Sequence, residues 1–363
     1  MDEAELQDAG LYDPTAPNAP DRLALLRWIA DHGVGTERMV EAQKSASLTG
    51  LVADLVIRPG ERFTLVEAAR RAGLTPEQVQ RVWQASGFRP ADDETPSLTE
   101  DDVETFKAFR FAAEMFGWPA TVQFTRVIGS SLARIAEGAV SLFSVNVEAG
   151  LAEQAAGELA LAKANLEATN VLSGLRAVLD ILFRDHVEAA ITRLRATRVE
   201  GQPYGTARVA VGFVDLVGFT PLSLTMPTPE LAAIVEDFEG RAADVVVSHG
   251  GRVVKLIGDE VMFVSIDSAG ACAIALDLVD EFRSSARVAP RGGVAYGIVI
   301  TRGGDYYGPV VNLAARIADL AVPSEVLVSA EVAEFDVSFH FEPAGRRLLK
   351  GFSEPVPLFA ASR

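Results

Sequence analysis

Asp215 stands at the end of an apolar run, Gly212-Phe213-Val214, and is followed by Leu216, Val217 and Gly218. A carboxylate at a strand end, ahead of a turn whose bare backbone can approach a ligand closely, is one half of a metal–phosphate site. Its oxygen donors suit Mg²⁺ or Mn²⁺. A second carboxylate, Asp259, falls in Gly258-Asp259 between the two short apolar runs of residues 252–264, a dipeptide that favours the tight turn of a β-hairpin. Two carboxylates held near one another can bind a pair of divalent cations. Either feature alone means little, because many strands end in Asp and a Gly-Asp hairpin is most often only a turn.

A third element adds cationic chemistry. Pro309, after Gly308, marks a helix start, and Asn312 and Arg316 lie four residues apart on one face of that helix. Val311, Leu313, Ala314, Ala315 and Ile317 hold it against a core. An amide and a guanidinium so placed are either a plain surface pair or a clamp for a transferring phosphoryl group.

Taken together, these residues resemble the class III nucleotidyl cyclases. Phe213-x-Asp215-Leu216-x-Gly218-Phe219 is similar to the first metal motif of that family, and Lys255-x-x-Gly258-Asp259 to the second. Asp305, Asn312 and Arg316 follow in the family's order, and the resemblance covers residues 205–361. It implies an adenylate cyclase using two Mg²⁺ or Mn²⁺ ions per site, held by Asp215, Asp259 and the backbone carbonyl of Leu216. The N–H groups of Gly218, Phe219 and Thr220 would cradle phosphate oxygens. Lys255 and Asp305 occupy the purine-reading positions, and Asn312 and Arg316 those that orient the ribose and meet charge on the α-phosphate. Lys350 falls where the family often places a cation near the triphosphate; an exposed strand-end lysine is the plain alternative.

Donor and acceptor patterns favour ATP. Lysine only donates and an ionised aspartate only accepts, which fits N1 and the 6-amino group of adenine and not the reversed edge of guanine. The family resemblance also implies a shared site, the metal carboxylates from one catalytic domain and the remaining groups from a partner. One copy of each element per chain makes a homodimer the economical arrangement.

Composition sets the surroundings. The 363-residue chain has room for two or three domains and carries a net charge of −17, which argues against nucleic acid as its main partner. A single cysteine, Cys272, excludes an intramolecular disulfide and lies in an apolar helix face, as a core thiol would. The opening Met1-Asp2-Glu3-Ala4-Glu5 has no secretory character, and no uncharged apolar run approaches a membrane span, so the expected location is the cytoplasm.

The elements that must position the site read as α+β. Residues 201–363 alternate strand and helix: strands over 207–214, 293–301, 326–329, 338–342 and 356–360, helices over 228–248 and 269–283, plus the Asp259 hairpin and the Asn312 helix. This order predicts a ferredoxin-like mixed sheet with packed helices. Residues 1–150 predict an all-α regulatory domain, and residues 151–200, rich in Ala, Leu and Glu without Pro, a helical linker. Helical patterns over 120–198 have expected breaks near Gly138 and Gly150.

Residues 61–90 have a helix–turn–helix character, with Gly73 stopping one helix and Thr75 and Pro76 starting the next. This gives the competing reading, a transcriptional regulator with a nucleotide-sensing cyclase-like domain. The acidic runs Asp92-Asp93-Glu94 and Glu100-Asp101-Asp102 oppose it. The architecture as a whole resembles mycobacterial-type cyclases whose helical N-terminal domain restrains the catalytic dimer and responds to pH. His186, on the helix leading into the catalytic domain, is the candidate regulatory histidine, with a solvent-facing residue as the plain alternative.

Overall fold

The structure is a computed structural model in which residues 2–282, 289–335 and 339–363 are described, apart from the side chains of Ser173, Thr220 and Phe335. The chain forms two compact units, Met1–Arg184 and Asp185–Arg363.

The first unit is helical. It comprises α1 (Glu3–Asp8), α2 (Ala19–Asp31), α3 (Thr36–Lys44), α4 (Leu51–Ile57), α5 (Leu65–Ala72), α6 (Pro76–Ala85) and α7 (Glu100–Phe116). It continues with α8 (Trp118–Phe143), α9 (Ala149–Glu153) and most of α10 (Glu158–Thr197). Local chemistry sets the α5–α6 pair: Thr64 and Thr75 each close a capping box, and Gly73 ends α5 at φ 68°. Leu65, Ala68, Ala72, Val79, Val82, Val103 and Phe106 bury the inner faces of α5, α6 and α7 as one cluster.

The expected break near Gly138 does not occur, since Gly138 lies inside α8. An isolated helical glycine costs only about 1 kcal/mol, which its neighbours outweigh. The break expected near Gly150 is present: α9 ends at Glu153 and the chain turns at residues 154–157, where Ala155 takes φ 50°. There the Asp21 carboxylate accepts the Glu158 N–H at 2.5 Å, capping α10 from 137 residues away. Among the described residues one run, Trp118–Glu153, is long and apolar enough to cross a membrane by length and composition. Arg126, Arg134, Glu137 and Glu148 are spread along it, and a single helix of this kind is weak evidence.

The second unit is a mixed sheet with helices on both faces. Its elements are β1 (Thr206–Val217), α11 (Phe219–Ser223), α12 (Thr228–Ser248), β2 (Arg252–Ile257), β3 (Glu260–Ser265) and α13 (Ser268–Phe282). Then come β4 (Ala289–Arg302), β5 (Asp305–Tyr307), α14 (Pro309–Leu320), β6 (Val326–Ser329), α15 (Ala330–Phe335), β7 (His340–Arg347) and β8 (Val356–Ser362). The strand order is β2-β3-β1-β4-β6-β8-β7, with β5 paired to β4. Among the described residues only β4 and β6 run parallel. The α+β expectation therefore holds, with α12 and α13 on one face and α14 on the other.

The structure lengthens several predicted strands, because their ends take their place from pairing with neighbouring strands, which composition does not reveal. β5 and α15 were not predicted at all; three and six residues are too short for a periodic signal. The predicted ends at Arg283 and Ser338 lie outside the described residues. Cys272 is buried in the α13 face of the core, as its apolar setting predicts.

One close approach fixes the helix that carries Asn312 and Arg316. A Cβ on Gly293 of β4 would lie 2.1 Å from the Ala318 nitrogen and 2.6 Å from the Ala314 oxygen of α14. Glycine on the strand and alanines on the helix let the two backbones pack almost directly, with Ile317 buried beside them.

Candidate active site

Side chains alternate along β1, so Phe213 and Asp215 face α14 while Val214 and Leu216 face α13. Asp215 pairs with Glu260 of β3 on one side and Arg291 of β4 on the other. Three charged groups thus form a row across adjacent strands at the end of an otherwise apolar face. Arg291 Nη2 and Nε donate to Asp215 Oδ2 at 2.8 and 3.0 Å. Arg291 Nη1 donates to the Asp319 carbonyl at 2.6 Å, tying the acid to the last turn of α14.

Asp259 sits between β2 and β3, at the hairpin tip. Its backbone carbonyl accepts the Leu216 N–H at 3.1 Å, which brings the tip against the end of β1. Burial raises the proton affinity of Asp259, and the charge of Asp215 and hydrogen bonding with it raise it further. Glu260 feels the same environment more strongly: burial first, then Asp215, Asp319 and Asp259, push its carboxyl up to about 7. Three carboxylates thus crowd a half-buried place with one guanidinium to balance them.

That arrangement fits divalent cations. The donors are hard oxygens, and the carboxyls of Asp215 and Asp259 lie close enough to repel each other. In a strand, the N–H and C=O of one residue point to the same side, so Leu216 aims its carbonyl toward the Asp259 tip as well. Asp215, Asp259 and Leu216 are the residues that would hold the metal. Beyond β1, Gly218 takes φ 87° and α11 begins without a side-chain cap, leaving the first-turn N–H groups of Phe219 and Thr220 without intrahelical acceptors. The Thr220 side chain lies outside the described residues.

The excess of acid predicts a pH-dependent stability. The folded pKa of Glu260, about 7, lies above its ordinary value of 4.5. Its contribution is therefore fully present below pH 4.5 and lost as pH rises through about 7. Glu260→Gln keeps the neutral form at every pH. In metal-free protein the variant should match wild type near pH 4.5. At about pH 8 it should gain roughly 1–2 kcal/mol after allowance for solvent screening, or a few degrees in thermal midpoint. A gain that is the same at both pH values would count against this account.

A second cluster lies elsewhere on the same unit. Lys255 Nζ donates to Asp305 Oδ2 at 2.6 Å, joining β2 to β5. Burial works against ionisation of Asp305, but hydrogen bonds from Lys255 and the Tyr306 N–H, with the charge of Lys255, outweigh it and hold the carboxyl below its usual range. Asp305 is thus an acceptor at neutral pH. On α14, Asn312 is exposed and Arg316 half-exposed, with Arg316 Nη1 donating to Asp319 Oδ2 at 2.8 Å. Among the described residues no hydrogen bond or ion pair joins Lys255–Asp305 to Asp215–Asp259.

Lys350 is exposed in the turn between β7 and β8. His186 is exposed on α10, within the second unit. Neither is brought to the carboxylates by a described contact. Arg291 and Glu260 belong to the carboxylate row but carry no motif signal. An arginine just before Gly292-Gly293-Val294, and an acid opening the buried run 261–264, were the available hints.

Residues 201–359 match the family described as the adenylate and guanylate cyclase catalytic domain, and residues 4–187 match the adenylate cyclase regulatory domain. The chain is 34% identical to a Streptomyces coelicolor protein named adenylate cyclase, over 77% of this chain and 73% of that one. It is 29% identical to a Mycobacterium tuberculosis protein named pH-sensitive adenylate cyclase, over 100% of this chain and 93% of that one. The crystal structure of the adenylyl cyclase CyaB from P. aeruginosa aligns with 44% of this chain and 96% of its own, at TM-score 0.40 and 23% identity. The chain belongs to the class III adenylate cyclase family, with a helical regulatory half and a cyclase catalytic half. The helix–turn–helix-like α5–α6 segment lies inside the residues matched as regulatory domain.

Proposed function

We propose that the protein converts ATP to 3′,5′-cyclic AMP and pyrophosphate at two composite sites of a homodimer, under control of its N-terminal half. The observation that carries this reading is the pairing of Lys255 with an ionised Asp305, together with a separate pair of mutually repelling carboxylates, Asp215 and Asp259. Each cluster supplies half of what the reaction needs. Residues 151–200 form the proposed helical linker between a regulatory domain over 1–150 and a catalytic domain over 201–363.

In the reaction the ribose 3′-hydroxyl releases its proton to solvent and its oxygen attacks the α-phosphorus in line, the bond from that phosphorus to the α–β bridging oxygen breaks, and pyrophosphate leaves. When bound, a pair of Mg²⁺ or Mn²⁺ ions would lower the pKa of the 3′-hydroxyl and neutralise the triphosphate. Asp215, Asp259 and the Leu216 carbonyl hold that charge in place. Lys255 donates to adenine N1 and Asp305 accepts from the 6-amino group. Asn312 orients the ribose, and Arg316, whose partner among the described residues is the exposed Asp319, meets charge growing on the α-phosphoryl oxygens. The backbone of Gly218, Phe219 and Thr220 takes phosphate oxygens, with Lys350 a further cation for the triphosphate.

Regulation is read from the same layout. A relative carries a pH-sensitive name, and His186 is an exposed histidine on a helix that enters the second unit. The test is cyclic nucleotide formation by the full chain and by residues 201–363, with ATP or GTP and Mn²⁺, across pH. ATP should be preferred, the full chain should vary with pH more steeply than the fragment, and His186→Ala should flatten the difference. Identical pH profiles would end the regulatory part, and absence of turnover with ATP the catalytic part.

A further inference from the structure

Lys255 and Asp305 must hold a fixed relation to read a purine, yet the turn that presents Asp305 has almost nothing of its own to hold it. Gly303 and Gly304 alone connect β4 to β5, at φ 61° and 79°. Both central residues of this hairpin turn are left-handed, which glycine permits but no side chain stabilises. Asp305 follows at once.

Arg252 supplies the missing anchor. Its Nη2 donates to the Gly304 carbonyl at 2.6 Å, and its guanidinium lies 5.4 Å from the centre of the Tyr306 ring. It therefore grips the residues immediately before and after Asp305. Its Nε is buried with no hydrogen-bond partner among the described residues, so the side chain bears a desolvation cost to sit there.

The reach of Arg252 depends on an irregularity in β2. Residues three apart on a regular strand point to opposite faces. Here the register shifts between Val253 and Lys255, so that Arg252 stands opposite Val264 and Lys255 opposite Met262. Val264 and Met262 both belong to the α14 side of the core. The extra residue, Val254, thus turns Arg252 and Lys255 to one face, where the arginine takes the turn and the lysine takes the acid.

We infer that Arg252 is a positioning residue for purine selection, fixing the β4–β5 turn so that Asp305 meets the 6-amino group of the base. The inference rests on the adenine reading proposed above. It confines the role of Arg252 to the base, because its described partners are Gly304 and Tyr306 and none is a metal or phosphate residue.

The test measures kcat and KM with ATP and with inosine triphosphate, whose purine has an oxygen in place of the 6-amino group. For full-length Arg252→Ala, KM for ATP should rise about tenfold with kcat within about twofold, while KM for inosine triphosphate moves less than about twofold. Arg252→Lys, which can still donate to Gly304, should recover part of the loss. An unchanged KM for ATP, or equal losses with both nucleotides, would overturn the inference. Should Arg252→Ala melt early, Arg252→Lys and Tyr306→Leu make the same comparison in a folded chain. Wild-type protein inactive with ATP removes the adenine reading and this inference with it, a result seen before any variant is made.

Discussion

Asp215→Ala and Asp259→Ala are expected to lose cyclic AMP formation by roughly 10³-fold or more, equivalent to about 4 kcal/mol of transition-state stabilisation, because each removes a ligand for the charge that activates the nucleophile. The two variants should differ in stability. Asp215→Ala leaves Arg291, which is 22% exposed, without its carboxylate hydrogen bonds, keeping among the described residues those to the carbonyls of Asp319 and Ala321 and the weaker charge interactions with Glu260 and Asp259. Losing the charged partner of a largely buried guanidinium costs about 1–3 kcal/mol. Asp259→Ala instead removes a carboxylate whose proton affinity is already raised by burial and by Asp215. It should leave the metal-free thermal midpoint unchanged or higher. Two inactive variants, only one of which melts earlier, separate loss of chemistry from loss of fold. Activity within tenfold of wild type in either would defeat the metal assignment.

Mixing two inactive variants should restore turnover. Asp215→Ala spoils the carboxylate cluster and Arg316→Ala the α14 clamp; among the described residues no direct hydrogen bond or ion pair joins Arg316 to Asp215 or Asp259, and Arg316 instead holds Asp319. If each site takes one cluster from each protomer, a mixed dimer has one site with every wild-type group and one with both defects. Random exchange makes half of the dimers mixed, so about a quarter of wild-type activity should return. The control is a mixture of Asp215→Ala with Asp259→Ala, which share a cluster and should recover nothing. Absence of recovery with Arg316→Ala, when subunit exchange is shown independently, would mean that each chain builds its own site.

The same contrast explains what was legible in the chain. Asp215, Asp259, Asn312 and Arg316 could be put forward as site residues because their surroundings are local: a strand end, a hairpin tip, one helix face. Likewise Thr64, Thr75 and Gly73 mark the α5–α6 boundaries through hydrogen bonds and a backbone conformation spanning only a few residues. Helix and strand identity follow from periodicities that a short window contains.

The tertiary structure decided whatever depends on register or on distant partners. Arg291 meets Asp215 across 76 residues only because β4 pairs with β1 in one alignment. A shift of one residue would send that guanidinium to the opposite face. The bulge at Val254, which joins Arg252 and Lys255 on one face, has no signature in Arg252-Val253-Val254-Lys255. Asp21 capping α10 shows the same for helices, since the first turn of α10 takes its capping acceptor from α2. By itself the sequence determined which groups could do chemistry. Pairing register and packing decided which of them stand together, because free energies shared between distant segments leave no local trace.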